Sequence, residues 1–181
     1  MTLDDFLAWE ARQETKYEFD GFGPVAMAGG SIAHARIQRN LAMSIGGRLV
    51  GSRCEFLGSD LKIRVDGRVR YPDGMVVSTR GTNASTLVVD PVVIFEVLSD
   101  STARTDIGAK NREYAATPSV QRYVVLEQDH MAGTMFERIN GDWIGHLVRS
   151  DSILRMPEIG IEVPMSELYR GVEFDDAPPA I

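Results

Sequence analysis

The run PVVIFEVL, residues 91–98, is apolar on both faces of an extended chain: Val93, Phe95 and Val97 point one way, Ile94, Glu96 and Leu98 the other. A strand of that kind must lie inside a sheet, covered above and below. Glu96 is then a carboxylate on a covered face, where an unpartnered charge is strongly unfavourable. A proton, a cationic side chain or a metal ion would compensate it, and the strand alone does not choose among them.

The chain around this strand mixes helix and strand signals without a regular βαβ repeat. Thr2 caps a short opening helix, TLDDFLAWEARQ. KYEFD and PVAMA, separated by Gly21 and Gly23, read as a hairpin. After Ser31, the residues Ile37, Leu41, Ile45 and Leu49 recur every four positions and mark an amphipathic helix. Short strands follow in CEFLG, DLKIRV, RVRYPD and MVVS, with Asp66-Gly67 as a hairpin turn. Residues 102–118 read as a helix stopped near Pro118; then come strands in QRYVVLE, GTMFERI and DWIGHLV, with a turn at Asn140-Gly141, and a short helix in PMSELYRG. The expected class is α+β, a mixed α/β arrangement with a central mixed sheet flanked by helices. One domain over residues 1–172 and a loose tail over 173–181 are expected.

With 181 residues, 44% hydrophobic and 25% charged, the chain can bury a substantial core. No window has the roughly 18 apolar residues of a membrane span, and the acidic N-terminus is unlike a signal peptide, so a soluble cytoplasmic protein is expected. The lone Cys54 reads as a small buried hydrophobe. A net charge of −7 argues against nonspecific coating of nucleic acid. Yet between Arg36 and Arg80 nine basic residues face four acids, a segment of +5. That segment reads either as one nucleic-acid-facing side or as a solvated arginine-rich surface.

Asp73 follows Pro72 at the start of GMVVS, where irregular backbone can aim a side chain inward. By itself Asp73 better suits a Pro-Asp-Gly turn in which it caps its own backbone, and the pairing with Glu96 is what favours a site. In the helix after Glu96, Ala103, Ile107 and Tyr114 form an inward stripe, and Lys110 lies roughly 60° from Ile107, toward the sheet. Its alternative partner is Asp106, one turn earlier. His34 shares a helix face with Leu41 and reads as a satisfied core histidine in preference to a ligand. Gln38 and Asn40 read as surface or network residues. Glu18 alternates with Tyr17 and Phe19, which suggests the solvent face of its strand. Two acids suit a hard cation such as Mg²⁺, a lysine beside them can position the nucleophile or neutralise developing charge, and the set points to metal-assisted phosphodiester hydrolysis.

The ordered set YEFDG, GGSIAHARIQRNL, YPDGMVVS, FEVLSDST, the Asp106, Lys110 and Tyr114 spacing, and SVQRYVVLE resembles the Uma-type family of putative restriction endonucleases over about residues 15–150. That family is similar to the PD-(D/E)XK nucleases. The resemblance implies a restriction-endonuclease-like core and a Mg²⁺-dependent endodeoxyribonuclease acting on DNA, with Mn²⁺ able to substitute; a homodimer is expected as well. It implies Asp73 and Glu96 as metal ligands and Lys110 as the catalytic lysine. Glu18 becomes an auxiliary ligand or base, and His34 a pocket residue. The superfamily pattern expects lysine two residues after the second acid, where this chain has Leu98. The alternative is an inactive nuclease-like fold serving as a nucleic-acid-binding or homo-oligomeric assembly module.

Overall fold

The computed structural model describes residues 1–27, 29–78, 81–98 and 103–174, with side chains of the helix that begins at Ala103 described from residue 107. Arg80, the side chains of Ala103 and Asp106, and the tail beyond Phe174 lie outside the described residues. Phe174 itself packs against Tyr169, with ring centroids 5.8 Å apart.

Helix α1 (Leu3–Glu10) opens on a reciprocal cap: the Thr2 hydroxyl accepts the Asp5 N–H, and the Asp5 carboxylate accepts the Thr2 N–H. Strands β1 (Tyr17–Phe19) and β2 (Pro24–Ala26) form the expected hairpin. Helix α2 (Ile32–Leu41) is capped by Ser31 and continues through a π-helical turn, Ala42–Gly46, into α3 (Gly47–Leu49). The widened turn has a cause in the four-residue apolar spacing: at about 100° per residue each step overshoots by about 40°. A π turn absorbs that drift, and Ile37, Leu41, Ile45 and Leu49 all stay buried.

Strands β3 (Glu55–Gly58), β4 (Lys62–Val65), β5 (Arg68–Arg70), β6 (Gly74–Val77), β7 (Leu87–Val88) and β8 (Pro91–Val97) precede α4 (Ala103–Ala116). Then follow β9 (Arg122–Leu126), β10 (Ala132–Ile139), β11 (Asp142–Arg149), β12 (Ile153–Met156), β13 (Ile161–Pro164) and α5 (Met165–Leu168). Asp66-Gly67 and Asn140-Gly141 turn with positive φ at both residues, as tight hairpins require.

The central sheet has the order β11-β10-β9-β8-β6-β3 and is mixed, because β8 pairs parallel to β9 and antiparallel to β6. Strand β8 is therefore internal. One face of it, Val93, Phe95 and Val97, packs under α2 and the C-terminal β12–β13 hairpin. On the other face Ile94 packs among Ile63, Val65, Tyr114 and Tyr123, which come from β4, α4 and β9. The N-terminal hairpin joins a second sheet, β2-β1-β5-β4-β7, rather than the central one. The β12–β13 hairpin went unread in the sequence, although Leu154 and Met156 alternate inward before a turn at Gly160.

Candidate functional site

Register brings the two acids together. Gly74 pairs with Phe95 across the antiparallel β6–β8 ladder, so Asp73 stands opposite Glu96. Asp73 does not cap its own turn. Its Oδ2 accepts the Val97 N–H at 2.6 Å, and its Oδ1 accepts the Gln38 amide at 2.6 Å. His34 Nε2 lies 3.2 Å from Oδ2. His34 and Gln38 are one helical turn apart on α2, so a single helix face grips one carboxylate. The hydrogen bond to Asp73 raises the His34 pKa, against the opposing effect of burial.

Glu96 is 8% exposed. Lys110 Nζ donates to both its oxygens, at 3.1 and 3.3 Å, and the Tyr114 hydroxyl donates to Oε1 at 3.1 Å. Helix α4 thus presents Lys110 to the sheet, as its azimuth requires. Burial pushes the Glu96 pKa up to about 7; Lys110 pulls it down, while Asp73 and Glu18 push it further up.

Glu18 is not on a solvent face. It is buried beneath Lys110 of α4 and beside Arg70, because Phe19 next to it pairs in register with Val69, the neighbour of Arg70. The Glu18 carboxylate accepts from Arg70 at 3.1 Å and from the Tyr71 N–H at 3.0 Å, and its Oε1 is 3.5 Å from Lys110 Nζ. Arg70 in turn makes a two-pronged pair with Glu113 of α4, at 2.8 and 2.7 Å. Burial lowers the Arg70 pKa, and the Glu113 and Glu18 carboxylates more than reverse it, leaving it above its ordinary value.

The basic segment is divided: Arg39, Arg48, Arg53 and Arg64 are exposed, while two of its cations turn inward. Lys62 and Arg70 are buried, Lys62 pairing with Glu10 at 2.7 Å, and Arg48 binds Glu167. Gln38, Arg70 and Glu113 were not legible as site residues. The four-residue step from His34 to Gln38 was the available signal for the first. Leu98 packs partly against the core cluster around Ile94, so nothing basic occupies that position.

A cavity of about 370 Å³ opens beside Asp73, lined by His34, Gln38, Gly30, Ser31, Lys16 and Ser59 among others. Gly30 touches the His34 ring: a Cβ there would sit 2.7 Å from Nδ1. Gly30 has no positive φ, so alanine fits its backbone but displaces the imidazole. Gly30→Ala is expected to lower the His34 pKa toward the ordinary 6.5 by separating it from Asp73, as read by NMR titration of the ring.

Among the described residues no three His, Cys, Asp or Glu side chains form a ready-made metal cage. Mg²⁺ needs only one or two carboxylates and keeps several waters. Asp73 and Glu96 supply that donor type, and their mutual repulsion, felt at Glu96, is what a divalent cation relieves. The pair fits a hard cation.

A family model described as "Putative restriction endonuclease", Uma2, matches residues 3–166. The uncharacterized protein slr1290 of Synechocystis sp. is 31% identical over 96% of this chain and 94% of its own length. A second uncharacterized Synechocystis protein, sll1609, is 29% identical over 71% of this chain and 75% of its own. The fold is similar to a crystal structure of a putative nuclease belonging to DUF820 from Anabaena variabilis, with a TM-score of 0.78 at 15% identity, covering 94% of this chain and 98% of that one. No helix among the described residues is long and apolar enough to cross a membrane. Matched along almost its whole length, the chain belongs to the Uma2 family of putative restriction endonucleases.

Proposed function

We propose that this protein is a Mg²⁺-dependent endonuclease that hydrolyses DNA phosphodiester bonds. The observation that carries this reading is the register-opposed pair Asp73 and Glu96 with Lys110 3.1 Å from Glu96. Asp73 and Glu96 would hold the cation, which when bound supplies Lewis-acid polarisation of a phosphoryl oxygen and an acidified water. His34 and Gln38 fix the Asp73 carboxylate at the cavity wall. Lys110 contributes positive charge where negative charge develops on the phosphate. One site per chain cuts one strand, so cleavage of a duplex calls for a homodimer, which light scattering would detect.

Supercoiled plasmid incubated with the protein and Mg²⁺ or Mn²⁺ should be nicked, and EDTA should stop the reaction. Glu96→Ala and Asp73→Asn should each reduce the rate by about a hundredfold or more, the order for groups acting on the transition state. Folded protein that leaves duplex, single-stranded and branched DNA intact with either metal would sink the proposal.

A second reading also has a specific observation behind it. Lys110 sits directly on Glu96, and Leu98 packs in the core where an E-x-K lysine would stand. On that reading the ionic cluster is structural and the fold is an assembly or nucleic-acid-binding module. Absence of any Mn²⁺ binding to the folded protein would favour it.

A further inference from the structure

Lys110 Nζ lies between two carboxylates, 3.1 Å from Glu96 and 3.5 Å from Glu18. These acids are held differently. Both Glu18 oxygens are committed, Oε2 to the Arg70 guanidinium and Oε1 to the Tyr71 N–H. Such a carboxylate is held in place and has little freedom to turn toward a metal. Glu96 accepts, besides the lysine, a hydrogen bond from the Tyr114 hydroxyl, and it is the acid that stands opposite Asp73.

From this asymmetry we propose that Glu18 is a positioning residue for Lys110, not a metal ligand, and that Lys110 competes with the divalent cation for Glu96. With no cation bound, the lysine neutralises Glu96. A cation on Asp73 and Glu96 repels the ammonium, and Glu18, already next to it, receives it at little displacement. The inference rests on the metal-site reading of Asp73 and Glu96. It gives the Lys110–Glu96 bridge a place in a working site, where the structural reading takes that bridge as evidence against one.

The test is Mn²⁺ affinity, measured by calorimetry at pH 8.5 without nucleic acid, in a double-mutant cycle. Lys110→Met should bind Mn²⁺ more tightly by about tenfold, or about 1.4 kcal/mol. Glu18→Gln in the otherwise wild-type chain should weaken binding several-fold, because the displaced lysine has lost its receiving carboxylate. In the Lys110→Met background Glu18→Gln should have no effect. A metal-ligand Glu18 would weaken binding equally in both backgrounds and overturn the proposal, as would Lys110→Met that binds no tighter than wild type. Thermal melts check folding; if Lys110→Met does not melt cooperatively, Lys110→Gln, which keeps a donor, takes its place in the cycle. Failure of every variant and the wild type to bind Mn²⁺ would overturn the metal site itself, whereas unchanged affinities would overturn only the competition.

Discussion

Glu96→Gln is expected to abolish metal-dependent cleavage while making the metal-free protein more stable at alkaline pH. The folded-state pKa of Glu96, about 7, stands above its ordinary 4.5, so the folded protein holds a proton that the unfolded chain has released between those values. Stability from this group is fully present below about pH 4.5 and is lost as pH rises through about 7. The loss is on the order of 3 kcal/mol, because each tenfold difference in proton affinity between the folded and unfolded states is worth about 1.4 kcal/mol. Glutamine cannot ionise and removes that slope. Urea titrations in EDTA between about pH 4.5 and 8 should show wild-type stability falling relative to Glu96→Gln. His34, whose raised pKa gives a loss of the same sign, remains in both proteins and largely drops out of the difference. Added Mn²⁺ at about pH 8 should then stabilise wild type and not the variant. Parallel pH profiles for the two proteins would show that burial does not raise the Glu96 pKa.

The second large effect is predicted at Arg70. It is 4% exposed and joins Glu18 beside the candidate site to Glu113 on α4, immediately before the Tyr71-Pro72-Asp73 turn. Arg70→Met takes the shared guanidinium from two buried carboxylates, leaving Glu113 beside Arg68 at 3.2 Å and Glu18 beside Lys110 at 3.5 Å. Breaking a buried pair from one side typically costs about 3–5 kcal/mol. For a chain of this size that corresponds to a melting temperature lower by roughly 10 °C, at about 2–4 °C per kcal/mol. Adding Glu113→Gln to Arg70→Met should recover part of the loss, because the cost is the stranded charge more than the missing contact. A single-variant loss below about 1 kcal/mol, the scale of an exposed ion pair, would place this network in solvent.

Particular residues show how far the sequence could be read. Strand β8 announced itself as central because both its faces are apolar, and the structure places it between β9 and β6. Helical phasing alone turned Lys110 inward. Two-fold alternation failed at Glu18, since it assumes that one face of a strand meets water, and the second sheet holds β1 where that face is covered. Gln38 was legible only as a neighbour of His34, because nothing local tells a helix which carboxylate will arrive against it.

The sequence by itself determined most of the elements up to β11 with their caps and turns, the burial of Glu96 and the inward azimuth of Lys110, all of which follow from periodicity and turn chemistry over a few residues. Tertiary structure alone decided which charges meet. The β6–β8 register sets Asp73 against Glu96, the packing of α2 delivers His34 and Gln38, and the second sheet brings Glu18 and Arg70 to α4. Those partners are far apart in the chain, and an ion pair between them exists only once the core has fixed both sides.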